Sequence, residues 1–185
     1  MVARAIALSK LDYCNGLLCG TSVANLRRLQ KVQNKLARIA TGTARRAHVT
    51  PVLASLHWLP VQQQVTYKVA TLIFKVRSSN RPAYLRSILQ DYIPGRALRS
   101  TAHNLLLERR TKTTTGATAF GAVAPKLWNS LPQEVRNSDS LPFFQNNLKT
   151  YFFRQTFNSL TYHLPSGDPS LNAGLVSRAG NLDVN

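Results

Sequence analysis

Residues 23–40 read VANLRRLQKVQNKLARIA, and this stretch decides the fold. Leu26, Leu29, Val32, Leu36 and Ile39 recur at steps of three and four, which places them on one stripe of a helix. Arg27, Arg28, Lys31, Lys35 and Arg38 occupy the adjoining arc. Ser22 stands where a hydroxyl accepts from the unpaired amides of a first turn, and Gly42 follows where a left-handed residue most easily closes a helix. The expectation is an amphipathic helix with a basic edge.

The same reading extends outward. After a basic turn holding Arg45, Arg46 and His48, Thr50-Pro51 opens a short helix through Leu53 and Leu56, which Trp58-Leu59-Pro60 ends because proline disfavours a helical predecessor. A second long helix follows to about Ser78, with Val65, Val69, Leu72, Ile73 and Val76 as its core face, and should pack on the first. Pro82 opens a third helix through Tyr84, Leu85, Ile88 and Leu89, and Pro94-Gly95 reads as a turn. From Arg96 to Gly116 the periodicity fails, and the apolar run Leu105 to Leu107 suggests one short β-hairpin near residues 103–119 in an exposed basic loop. Phe120 to Leu131 reads as a helix carrying Trp128. Ser140 caps a last one, whose apolar side is Phe143, Phe144, Leu148, Tyr151 and Phe152 and which ends near Phe157.

The fold class expected is therefore mainly α: a small, irregular helical domain of about five to six helices over residues 21–157. Residues 1–20 read as a truncated N-terminal helix. Residues 158–185, rich in Gly, Ser, Asn and Pro beyond Pro165, read as a disordered tail. No internal repeat is visible.

Charge is the outlier in the composition. The 185 residues hold 24 Lys plus Arg against seven Asp plus Glu, a formal net charge of +17. A polyanion relieves that self-repulsion, so nucleic acid is the first partner to expect, ahead of an anionic membrane surface or an acidic protein. A basic surface that is merely solvated is the competing reading. Arg27, Arg28, Lys31, Lys35, Arg38, Arg45 and Arg46 form one expected backbone-binding track, and Arg96, Arg99, Arg109, Arg110 and Lys112 a second. Most aromatic residues fall at core spacing, which leaves Tyr13, Tyr92 and Trp58 as candidate stacking platforms.

Chemistry that makes bonds is not expected. The acids Asp12, Asp91, Glu108, Glu134, Asp139, Asp168 and Asp183 are scattered singly, whereas polymerases and nucleases cluster carboxylates around divalent metal. Glycines fall singly at turns, so no phosphate-cradling loop forms. Cys14 and Cys19 are five residues apart, on different faces of a helix, and lack neighbouring histidines, which argues for reduced thiols and against zinc. His57, inside Leu56-His57-Trp58-Leu59, reads as a packing residue rather than a base. No catalytic residue, cofactor, metal or small-molecule substrate is expected. No apolar run reaches the ~20 residues of a membrane span. The opening MVARAIALSK lacks a secretory core and cleavage site, which points to a nuclear or cytoplasmic location rather than secretion.

Particular strings carry a further signal. Leu11-Asp12-Tyr13-Cys14-Asn15-Gly16-Leu17-Leu18, Leu29-Gln30-Lys31-Val32-Gln33-Asn34, Ala37-Arg38, Thr41-Gly42-Thr43 and His48-Val49-Thr50-Pro51-Val52-Leu53 come first. Leu56-His57-Trp58-Leu59-Pro60-Val61, Phe74-Lys75, Tyr84-Leu85, Leu98-Arg99-Ser100 and Ala124-Pro125-Lys126-Leu127-Trp128-Asn129-Ser130-Leu131-Pro132 follow in order. Together they resemble the region after the polymerase domain in Jockey-type and chicken-repeat-type non-LTR (LINE-type) retrotransposon reverse transcriptases, over roughly Leu8 to Phe157. The resemblance implies a parent with an endonuclease and an RNA-directed DNA polymerase upstream. The acidic polymerase motif is absent here, so neither activity transfers to any residue, and residues 164–185 depart from the family pattern. A degenerate copy and a domesticated domain both fit. Three readings follow: a non-catalytic module that holds template RNA or target DNA by its backbone, a structural piece that braces a missing polymerase thumb or other reverse transcriptase domains, and, last, a membrane-active basic helix.

Overall fold

A computed structural model of the chain describes Ser9, Asp12, Tyr13, residues 15–94 and residues 104–157. A 3-10 turn, Asn15–Leu18, leads into eight helices: α1 Val23–Thr41, α2 Val49–Ser55, α3 Val61–Ser79, α4 Ala83–Ile88, α5 Thr114–Thr118, α6 Phe120–Asn129, α7 Gln133–Arg136 and α8 Leu141–Phe157. The mainly helical expectation holds. The larger helix count comes from α5 and α7, too short to leave a periodic signal. Within the expected N-terminal helix, Ser9 and Asp12 are helical, the Tyr13 N–H bonds the Ser9 carbonyl at 2.8 Å and Asn15–Leu18 forms a 3-10 turn, while the rest of residues 1–14 lie outside the described residues, as does the expected tail.

The ends of α1 fall where local chemistry puts them. The Ser22 hydroxyl accepts from the Asn25 amide, and Gly42, at φ 67°, donates its N–H to the Arg38 carbonyl. The face turned inward differs from the apolar stripe. Gln33 and Ala37 are fully buried, while Val32 is 47% and Ile39 78% exposed. Hydrogen bonding explains the rotation. Gln33 Nε2 donates to the Leu59 carbonyl at 2.9 Å, and Gln30 Oε1 accepts from the Val61 amide at 2.8 Å. Gln30 Nε2 in turn donates to Gln33 Oε1 and Asn34 Oδ1. The Gln side of α1 thus satisfies the carbonyl before α3 and the first amide of α3, groups that a buried helix start would otherwise leave unpaired.

Helix α2 ends before the proline reaches it. Trp58 N–H bonds the Leu53 carbonyl at 2.9 Å and His57 N–H the Ala54 carbonyl at 3.0 Å, the paired closure of a Schellman motif. His57 therefore takes the left-handed position, at φ 54°, and its ring stacks on Phe153 of α8 at 5.6 Å. The ring therefore makes one packing contact, but His57 is exposed rather than wedged into the core as a hydrogen-bonded packing residue, because the left-handed turn carries it to the surface.

The centre of the molecule is α3, which packs against the 3-10 turn, α1, α4, α6 and α8. Val65, Val69, Ile73 and Val76 are buried as expected, joined by Ala70, Thr71 and Phe74, whereas Leu72 is 38% exposed. Contact on several sides makes the buried surface wider than one stripe. Phe144 of α8 fills the heart of this core, with its ring 4.5 Å from Phe74 and 5.7 Å from Trp128. Stacked pairs of this kind are worth about 0.5–1.5 kcal/mol beyond burial. Phe143, expected inside, is 56% exposed.

The hairpin expected near residues 103–119 does not form. Leu106 instead makes an isolated antiparallel bridge with Asp91, flanked by Tyr92 N–H to Leu105 O at 3.0 Å and Leu107 N–H to Gln90 O at 2.8 Å. On its other edge Leu106 is held by a side chain. Asn129 Oδ1 accepts from its amide and Asn129 Nδ2 donates to its carbonyl, both at 2.9 Å. An amide that supplies both bonds takes the place of a second strand, and the residues that a hairpin would need as its return form α5.

Candidate nucleic-acid interface

At 100° per residue, Arg27, Arg28, Lys31, Lys35 and Arg38 fall within about 100° of arc on α1. That arc lies opposite Gln33, and Arg27, Arg28, Lys31 and Lys35 are all exposed. The 19 residues of α1 include no Asp or Glu, so nothing on the helix neutralises them. From Arg27 to Lys35 the cations span about 12 Å of axis, the rise of three to four nucleotides in one strand of B-DNA. Val32 and Ile39 lie exposed along the edge of the same arc.

Arg38 departs from the expected track. It is half-buried, and its Nη2 donates to the Ala47 carbonyl at 3.0 Å, so it braces the turn after α1 instead of facing solvent. That turn carries Arg45, Arg46 and His48, all exposed, beyond the end of the helix. Of the first expected track, Arg27, Arg28, Lys31 and Lys35 share one exposed arc of α1, and Arg45 and Arg46 are exposed on the turn that follows it.

Of the second track, Arg96 and Arg99 lie outside the described residues, and Arg109, Arg110 and Lys112 are exposed on the irregular segment that precedes α5. One contact relates this segment to α1. Gly20, at φ 82°, approaches Thr118 at the end of α5 so closely that a Cβ there would stand 2.7 Å from the Thr118 carbonyl oxygen. The chain leaving Lys112 through α5 thus returns to the residues that lead into α1.

Three of the five described acids are engaged with cations or amides. Asp91 bridges Arg77 Nη2 at 2.7 Å and Arg86 Nη2 at 2.5 Å, Lys68 bonds Asp12 at 2.9 Å, and Glu108 accepts from Asn129 at 2.9 Å. Burial pushes the Asp91 carboxyl upward, but the hydrogen bonds and charges of Arg86 and Arg77 outweigh it and hold the group below the usual carboxylate range. Arg77 also lies 5.2 Å over the Trp128 ring, and burial lowers its guanidinium despite Asp91. This cluster, which the sequence reading missed, fastens α3, α4 and the bridged segment together. Only the spacing of Arg77, Arg86 and Asp91 hinted at it, and their approach depends on the fold.

Among the described residues, no three His, Cys, Asp or Glu side chains come together as a metal site, and no helix is long and apolar enough to cross a membrane. Cys19 is a free thiol whose pKa burial raises, while Cys14 lies outside the described residues. No family model, curated protein or solved structure matches the chain.

Proposed function

We propose that the chain is a non-catalytic nucleic-acid-binding module that holds an RNA or DNA backbone along α1. The observation that carries this reading is the exposed set Arg27, Arg28, Lys31 and Lys35 on one arc of a helix with no acid, continued by Arg45 and Arg46. Phosphates are recognised by such a surface through charge alone, which gives affinity without sequence preference. The resemblance of LHWLP and APKLWNSLP to the post-polymerase region of LINE-type reverse transcriptases supports the same reading, with template RNA or target DNA as the polyanion. An electrophoretic shift tests it. Reversing Arg27, Arg28, Lys31 and Lys35 to Glu on exposed positions should leave the fold intact and strongly weaken the shift with single-stranded RNA and duplex DNA alike, and unchanged binding would reject the reading.

A second reading has its own observation. Tyr84, Ile93, Phe143, Val32 and Ile39 are large apolar side chains left exposed, which suits a structural piece covered by neighbouring domains. Dye binding and aggregation by the isolated chain would favour it, whereas sharp cooperative unfolding of a monomer would count against it.

A further inference from the structure

A cavity of about 350 Å³ opens where the corner before α3 meets α8. Its size is at the small end of ligand sites, which run from about 300 to 1,000 Å³. Gln64, Tyr67 and Lys68 line it from one face of α3, since steps of three and four residues fall side by side on a helix. His57 and Trp58 form the adjoining wall, and Lys149 enters from α8 one turn before Phe153, on which the His57 ring stacks. Aromatic surface, an amide, the Asp12 carboxylate and two ammonium groups therefore face one small space.

Each part has a distinct use. Tyr67 supplies a flat apolar ring of the kind on which bases stack, and Trp58 forms the wall beside it. Gln64 commits its Nε2 to the Leu59 carbonyl at 2.8 Å, which leaves the amide oxygen as an acceptor for a ligand N–H. Lys68 is paired with Asp12 at 2.9 Å, and Lys149 remains as an exposed cation for a phosphate. The wall is also held in an unusual way. His57 carries a ring at a left-handed position where glycine is the easiest occupant, and that geometry turns Trp58 to close the corner.

The cavity wall is joined to the inward face of α1, opposite its basic arc. The Leu59 carbonyl accepts from Gln33 of α1 as well as from Gln64, so the cavity wall and the α1 seat share one backbone group. We infer that this cavity takes one unstacked nucleobase from a single strand, with an adjacent phosphate on Lys149, an inference that rests on the backbone-binding reading of α1. Duplex ends and paired bases do not fit such a site, so the cavity gives the module a preference for single strands over duplexes.

The test uses the full chain and three 12-nucleotide probes: a single strand, the same strand with abasic sites in place of its bases, and a duplex. Trp128 is 1% exposed and sealed in the core, so a change in tryptophan emission reports Trp58. The single strand should bind about tenfold more tightly than the abasic strand and change the emission, because base–aromatic stacking is worth roughly that factor or more. Tyr67→Leu should bring the two strands to equal affinity, and Tyr67→Phe should restore the difference. Equal binding of both strands by the wild-type chain, or an emission change as large with duplex, overturns the inference while leaving the α1 track in place. Failure of all three probes to bind overturns both.

Discussion

Asn129 pairs with the backbone of Leu106 as a strand would, accepting from its amide and donating to its carbonyl at 2.9 Å each. The segment between residues 104 and 108 is thus held by one helical side chain on one edge and by residues 90–92 on the other. Trp128, the neighbour of Asn129, adds a bond from its indole N–H to the Asn104 carbonyl at 2.8 Å. The Trp128-Asn129 dipeptide is therefore a clamp for an otherwise irregular stretch.

Truncating that clamp should be expensive. Asn129→Ala leaves the Leu106 amide and carbonyl without partners in a site that is mostly dry, and each such group costs about 1–3 kcal/mol. Urea unfolding should show a loss of about 2–4 kcal/mol with little change in slope. A loss under 0.5 kcal/mol would mean that water replaces the amide.

Two glycines should respond differently to alanine. Gly20→Ala places a Cβ 2.7 Å from the Thr118 carbonyl oxygen at φ 82°, so both strain and a clash oppose it. Gly42→Ala meets nothing within 4 Å at φ 67°, so only the left-handed penalty of about 1 kcal/mol applies. Thermal unfolding should rank Gly20→Ala well below Gly42→Ala, and the reverse order would contradict the described turn at Gly20.

Acid should loosen the cluster around Asp91. Its carboxyl is held below the ordinary value near 3.9, so the group stabilises the fold above that pH, and this contribution fades as pH falls through its lower folded value. Asp91→Asn should remove that part of the pH dependence and lower stability at neutral pH, because Arg77 and Arg86 lose a shared counter-charge. Chemical unfolding followed from pH 7 to pH 2 checks both. An unchanged pH profile in the variant would show that Asp91 titrates as an ordinary carboxylate.

The residues explain why some of this was legible in advance. Ser22 and Gly42 bound α1 through bonds to Asn25 and Arg38, three and four positions away, so local rules located both ends. The inward face was harder to read, because the group that pulls Gln33 inside is the carbonyl of Leu59, 26 residues distant. Val32 and Ile39 follow the helical period but give way to that bond. Likewise Leu105 to Leu107 has strand character, yet its partners are Asn129 and residues 90–92, neither of which is adjacent in sequence. The basic residues of α1 were legible as a set because helical spacing alone places them together, whereas the loss of Arg38 to the Ala47 carbonyl depends on how the chain turns after Gly42.

The salt dependence of binding tests the central claim most directly. With Arg27, Arg28, Lys31, Lys35, Arg45 and Arg46 each meeting a phosphate, log affinity should fall against log salt with a slope of about −4 on single strands and about −5 on duplex DNA. The variant with the four α1 cations reversed should retain a slope no steeper than about −1.5 on single strands. A flat slope for the wild-type chain on every nucleic acid would contradict the account.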